Sequence, residues 1–107
     1  MMKVYVLTHE IYSYEDHDTN IEVELFSAYE DAIFYFELLK VNIIDEYERR
    51  TNESLHALEQ WDEFYSYEHY YDLPEHNTKM IFNMSLDEYG HDFVTIKEKT
   101  IMSFVEA

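Results

Sequence analysis

Cysteine is absent from the 107 residues, which excludes a disulfide framework, a thiolate nucleophile and a cysteine-ligated metal. A single glycine (Gly90) and a single proline (Pro74) leave no glycine-rich loop to cradle a phosphate and little material for a flexible linker. No apolar run approaches the roughly 20 residues that cross a bilayer. The opening Met1-Met2-Lys3-Val4-Tyr5-Val6-Leu7 is too short for a secretory signal. Anionic membrane surfaces also repel a formal charge of −17, so the expectation is a cytoplasmic protein with no membrane partner.

Positive charge is the scarcest property. No lysine or arginine occurs between Lys3 and Lys40, nor between Arg50 and Lys79. The first window holds Glu10, Glu15, Asp16, Asp18, Glu22, Glu24, Glu30, Asp31 and Glu37; the second holds Glu53, Glu59, Asp62, Glu63, Glu68, Asp72 and Glu75. Sixteen of the 24 acids therefore lie in windows that hold no lysine or arginine. Self-repulsion of this kind destabilises a compact state while creating a strong field, and the natural use of that field is to attract something basic.

Aromatic residues are abundant. Eleven Tyr, seven Phe and one Trp separate this chain from acidic disordered proteins, which cannot bury enough apolar surface to offset chain entropy. Length and composition predict one folded domain over residues 1–107.

Residues 2–9 read as a strand and Tyr12 to Asn20 as a polar loop. Ile21-Glu22-Val23-Glu24-Leu25 alternates with period two, predicting a strand with its apolar side buried and both glutamates on the outer face. Ser27-Ala28-Tyr29-Glu30 fits a capping box, opening a helix to about Arg50 with Ala32, Phe36, Leu39, Ile43 and Tyr47 as one stripe. Phe34, Leu38, Val41 and Ile44 make a second apolar side, to be covered by the next helix or a twin subunit, so a homodimer is among the expectations. Asn52 or Ser54 can cap a second helix to about Asp72, with Leu55, Leu58, Trp61 and Tyr65 facing inward. Residues 79–86 and 93–104 read as a hairpin around 88–92. The expected fold is α+β: a small antiparallel sheet in the order ββααββ, with two helices packed on one face.

No cofactor or metal is expected. Asp16-x-Asp18-x-Asn20-x-Glu22 resembles the start of a calcium loop, but Ile21 stands where the turn needs glycine, and Ser27 stands where a bidentate Glu should close it. There is no H-E-x-x-H, no G-x-S-x-G, and no carboxylate pair with an evident reason for divergent pKa values. The expectation is a protein that is not an enzyme and has no catalytic residues. Direct nucleic-acid binding is opposed by charge, since such binding is driven chiefly by Lys and Arg neutralising phosphates.

Reversing the sign gives the more productive reading. On a helix from 54 to 72, Glu59, Asp62, Glu63 and Glu68 would form a line of charge at about 5–6 Å spacing, comparable with a phosphate backbone. Asp72 closes that segment, and Tyr67 and Tyr70 offer rings that stack on partner arginines. Glu15, Asp16, Asp18, Glu22 and Glu24 make a second patch. These twelve are the expected partner-binding residues, and the expected partner is a basic nucleic-acid-binding protein.

Two resemblances bear on this. Lys3-Val4-Tyr5-Val6-Leu7, a polar turn, an alternating strand and Phe26-Ser27-x-x-Glu30-x-Ala32 resemble the strand–strand–helix start of small uncharacterised proteins of bacteria and their phages, over residues 2–40. In size, charge and tyrosine content the chain resembles the phage-encoded nucleic-acid mimics that block host defence nucleases, the anti-CRISPR and anti-restriction proteins. This likeness is one of class, without a shared motif. It implies a stoichiometric inhibitor whose target is a Cas nuclease or restriction enzyme with a basic groove. The alternative is an acidic immunity protein or antitoxin that neutralises one basic toxin enzyme.

Overall fold

The N-terminal alternation carries past the first nine residues. In the structure, a computed structural model that describes residues 2–15, 17–87 and 89–101, β1 runs over Met2–Ser13 and β2 over Asp18–Phe26. The expected loop from Tyr12 to Asn20 shrinks to a tight turn. Helix α1 spans Tyr29–Thr51 and α2 only Leu55–Leu58. Then follow β3 (Phe64–Tyr70), β4 (Thr78–Leu86) and β5 (Gly90–Ile101). The chain is α+β, as expected, but its order is ββααβββ. All pairings are antiparallel, and the five strands lie in the order β2-β1-β5-β4-β3. Among the described residues no helix is long and apolar enough to cross a membrane.

The expected second helix is the main correction. Its first turn forms, with Ser54 as cap: the Ser54 hydroxyl accepts from Ala57 N–H at 3.2 Å. Beyond Leu58 the chain turns, and Phe64-Tyr-Ser-Tyr-Glu-His-Tyr becomes an edge strand. Aromatic residues at alternate positions favour a pleated, half-buried surface, and that tertiary preference overrides the helical spacing of Leu58, Trp61 and Tyr65. The capping box is also absent. Helix α1 starts after Ala28 with no side-chain cap, leaving Glu30 and Asp31 in its first turn to interact with the helix dipole.

Directly opposed residues of an antiparallel pair share a face, so the register sorts the sheet into two sides. Leu7, Ile96 and Met80 lie in one row, and His9, Val94 and Phe82 in the next, on the side covered by α1. There they meet Ala32, Phe36, Ile43 and Tyr47 of the predicted stripe, with Leu58 of α2 closing one end of the core. The Tyr47 hydroxyl donates to the Met84 carbonyl at 3.0 Å. His9 Nε2 lies 2.8 Å from Asp92 Oδ1 beneath the helix. Helix α1 ends where Asn52 adopts a left-handed φ of 58° and its N–H bonds the Glu48 carbonyl. The Glu48 carboxylate accepts from Leu55 N–H at 2.6 Å, tying the two helices.

Among the described residues the opposite side of the sheet carries no helix. Val23, Thr8, Thr95 and Ile81 form its central row, flanked by Ile21, Glu10, Phe93 and Asn83 on one side and Leu25, Val6 and Lys97 on the other. The period-two pattern of β2 is therefore that of a strand, as expected, but its faces are reversed. Glu22 and Glu24 oppose His9 and Leu7 on the helix-bearing side, while Ile21, Val23 and Leu25 are exposed on the open side. As an edge strand, β2 meets α1 at Phe26, which packs on Tyr35, while its preceding residues are exposed on both faces.

Candidate partner-binding surface

Two hairpin turns meet at one end of the sheet. Tyr14 N–H donates to the Tyr89 carbonyl at 3.2 Å, joining the β1–β2 turn to the β4–β5 turn. Asp87 N–H donates to the Glu63 carbonyl at 3.2 Å, bringing in the segment that leads into β3. Gly90 permits this closeness. Its φ is +142°, and a Cβ there would stand 1.9 Å from the Tyr12 carbonyl oxygen.

The result is a groove of about 670 Å³ lined by Tyr14, Trp61, Glu63, Leu86, Asp87 and Tyr89. Trp61, expected to face a core, is 37% exposed. Glu59 and Asp62 flank it on the exposed connection after α2, and Glu15 and Asp18 border the first turn. The two lysine-free windows thus converge here, and flat rings stand among carboxylates. Such a groove suits a guanidinium or ammonium group, held by charge at its edge and by the ring faces beneath it. Arg50 already lies 5.5 Å from the Tyr89 ring centre in this manner.

The expected contact residues do not all gather. Glu15, Asp18, Glu59, Asp62 and Glu63 belong to the turn end. Glu22 and Glu24 lie along edge strand β2, while Tyr67 and Glu68 lie along the other edge, β3, roughly 19 Å away across four strand spacings. Tyr67 opposes Asn83 on the open face, whereas Tyr70 opposes Met80 on the helix side, so they form no common stacking surface. Asp72 follows β3 at the far end, roughly 25 Å from Glu63 along the strand. Asp16 lies outside the described residues. Asp18, Asn20 and Glu22 line one side of an extended strand instead of curling round an ion.

Glu68 is already engaged. It accepts from Lys40 Nζ at 3.0 Å, and the same ammonium reaches Glu37 at 2.9 Å. Burial acts to lower the Lys40 pKa, and these two carboxylates outweigh it, holding it above the ordinary lysine value. At the far end Glu98 sits between Lys3 (3.2 Å) and Lys79 (3.4 Å). Burial pushes the Glu98 carboxyl up, but the two ammonium groups prevail and hold it below the usual carboxylate value. Nearby, burial with Tyr70, Tyr5 and Asp72 close by pushes the Tyr29 hydroxyl up to about 12.

Charge is divided between the two sides of the sheet. Of the acids within the strands, Asp18, Glu22, Glu24, Glu68, Asp92 and Glu98 point to the helix side and Glu10 alone to the open side. Helix α1 adds Glu30, Asp31, Glu37, Asp45, Glu46 and Glu48 to the helix side. Lys3, Lys40, Arg49 and Lys79 are ion-paired there, Arg49 with Glu46. Lys97 and Lys99 point to the open side and form no ion pair among the described residues.

Sequence reasoning missed Tyr14, Trp61, Asp87 and Tyr89 as site residues. The helical spacing of Leu58, Trp61 and Tyr65 hid Trp61, while Tyr14 meets Asp87 and Tyr89 only through the pairing of β1 with β5, which at this end joins Ser13 to Gly90, 77 positions apart. Comparison with protein-family models, with curated proteins and with solved structures gave no match.

Proposed function

We propose that the chain is a stoichiometric protein inhibitor that occupies the basic nucleic-acid groove of a host defence nuclease, a CRISPR Cas nuclease foremost and a restriction enzyme next. The observation that carries this reading is the convergence of Glu63 and Asp87 on a groove lined by the exposed rings of Tyr14 and Trp61 and the half-buried ring of Tyr89, with Glu15 and Asp62 next to it in the chain. Carboxylates at the rim of an aromatic groove take up the arginine side chains that such a nuclease aims at phosphates or at guanine edges. The acidic helix side supplies the wider field that speeds and orients encounter. The inhibitor acts by occupying the groove and performs no chemistry.

The test is competition. Glu63→Lys and Asp62→Lys, both at exposed positions, are expected to weaken binding to the target nuclease at least about tenfold each, with folding intact by circular dichroism. Binding is also expected to weaken between 50 and about 300 mM salt and to be displaced by the nuclease's own DNA substrate. Affinity indifferent to both charge reversals and to salt would refute it.

One feature favours the alternative of an immunity protein or antitoxin. Phe34, Leu38 and Val41 form an exposed apolar stripe along α1, with Phe34 68% exposed, bordered by Glu30, Asp31 and Glu37. Nucleic acid presents nothing equivalent, whereas a basic toxin enzyme with an apolar patch would. Tight binding that DNA does not displace, but Phe34→Ala abolishes, would select this second reading.

A further inference from the structure

The helix-free side of the sheet combines two properties that the rest of the molecule keeps apart: it is apolar and almost free of acids. Ile21, Val23 and Leu25 are each more than half exposed there, beside half-buried Val6, Ile81 and Phe93. Its charged strand residues are Glu10, Lys97 and Lys99, in a chain of formal charge −17. We propose that this face is an interface through which a second copy of the chain docks, sheet against sheet, with both acidic sides turned outward. The proposal does not rest on the inhibitor reading.

Area, charge and self-complementarity each favour a second copy over another occupant. Five strands at about 4.8 Å spacing, averaging about 33 Å in length, present roughly 800 Å² per copy, the size of a standard stable interface. A basic partner would find its complement on the helix side, and an acidic one would be repelled by the molecule as a whole. Among the strand residues of this face, a second copy meets only the charges of Glu10 and the two lysines. The acid-bearing sides would then be separated by two sheets about 10 Å apart, beyond the screening length of about 8–10 Å at physiological salt.

The face also complements itself. A two-fold axis lying in the interface and crossing the strands near Thr8 and Thr95 sets Val23 over Val23 of the second copy and Ile21 over its Leu25. The same axis brings Glu10 beside Lys97 of the second copy, because Lys97 is the cross-strand neighbour of Val6. The one carboxylate among the strand residues of this face thus finds an ammonium. This is the isologous contact of two-fold dimers, in the aligned packing of β-sandwiches.

Sedimentation equilibrium of the full chain tests it without any target. The expected result at about 100 μM protein and 0.15 M NaCl is twice the 13.1 kDa chain mass, with association strengthened as salt screens the net charge. Val23→Lys on the edge strand and Lys97→Glu on the central strand are each expected to raise the dissociation constant at least about tenfold. The double change Glu10→Lys/Lys97→Glu is expected to restore it. Val23 and Lys97 are both exposed, and circular dichroism checks that the fold is kept. A monomeric wild-type chain at that concentration would overturn the proposal, as would a dimer that salt dissociates. So would a dimer that survives both single variants and is lost with Phe34→Lys on the outer side of α1. A monomer that binds single-stranded oligonucleotide through Tyr65, Tyr67 and Phe93 would assign the face to base stacking instead and would equally overturn it.

Discussion

Glu68, one of the expected contact residues, is tied to Lys40 within the fold, and the strength of that tie can be measured. Lys40 projects from α1 to Glu68 of β3, making it one tie between the helix and the edge strand at 3.0 Å. At that distance the gross attraction is about 5.5 kcal/mol for an effective dielectric near 20. Most of it is offset by desolvation and side-chain ordering. The side chains are 21% and 41% exposed, so the net contribution belongs at the upper end of the surface range, about 1 kcal/mol. Replacing Glu68 with Gln leaves Lys40 paired to Glu37, so no charge is orphaned and the larger penalty of a stranded buried ion does not apply. A double-mutant cycle of Lys40→Met and Glu68→Gln, followed by urea denaturation, is expected to give a coupling of about 0.5–1 kcal/mol. The single change Glu68→Gln should lower Tm by about 4 °C or slightly more. The coupling should shrink in about 1 M NaCl. A value below about 0.2 kcal/mol, or one indifferent to salt, would show that the pair does not join helix to sheet.

The remaining predictions concern the core, the turn, the tyrosines and the net charge. Phe36 is fully buried between α1 and the sheet, and Phe36→Ala should cost about 3–5 kcal/mol by denaturant titration. Gly90→Ala drives a methyl group into the Tyr12 carbonyl at a φ unsuited to L-residues; it should lower stability by about 2 kcal/mol or more and alter tryptophan fluorescence, since Trp61 and Gly90 adjoin the same turns. Because the Tyr29 pKa is raised in the folded state, its neutral form contributes stability that is fully present below pH 10 and lost as pH rises towards about 12; alkaline unfolding should track that window, and Tyr29→Phe should remove that loss from the alkaline limb. Glu98 has the opposite sign: its depressed pKa gives stability that is present at neutral pH and lost as pH falls below the usual carboxylate range, a loss that Glu98→Gln should remove from the acid limb.

Much of the architecture was legible because it depends on local periodicity. The stripe Ala32, Phe36, Leu39, Ile43 and Tyr47 marked the buried side of α1 correctly, and β4 and β5 announced themselves by composition. What failed was any step needing to know what covers a segment. In β2, Ile21, Val23 and Leu25 have the pattern of a buried strand face, yet they point to the side of the sheet opposite α1, where no described helix lies. In β3, the aromatic residues satisfy either a helix or a strand pattern, and pairing with β4 decides between them. The two acid-rich windows were plain in the sequence, but the place where they meet was not. The backbone bonds of Tyr14 to Tyr89 and of Asp87 to Glu63 join three segments distant in sequence, and no local pattern announces such a junction.

The strand order has a consequence for how the chain becomes a protein at all. β1 and β5, the first and last strands among the described residues, are neighbours, and β5 joins β1 to β4. Without β5 the chain would be two separate hairpins, β1–β2 and β3–β4, each too small to be stable by itself. Every residue from β1 onward must therefore be synthesised before the sheet can close, and closure must bring together residues as distant as Met2 and Ile101. Such a chain folds late and slowly for its length, with apolar strand faces exposed in the interval. Its abundant carboxylates then act before any partner is met, keeping nascent copies apart until the last strand arrives.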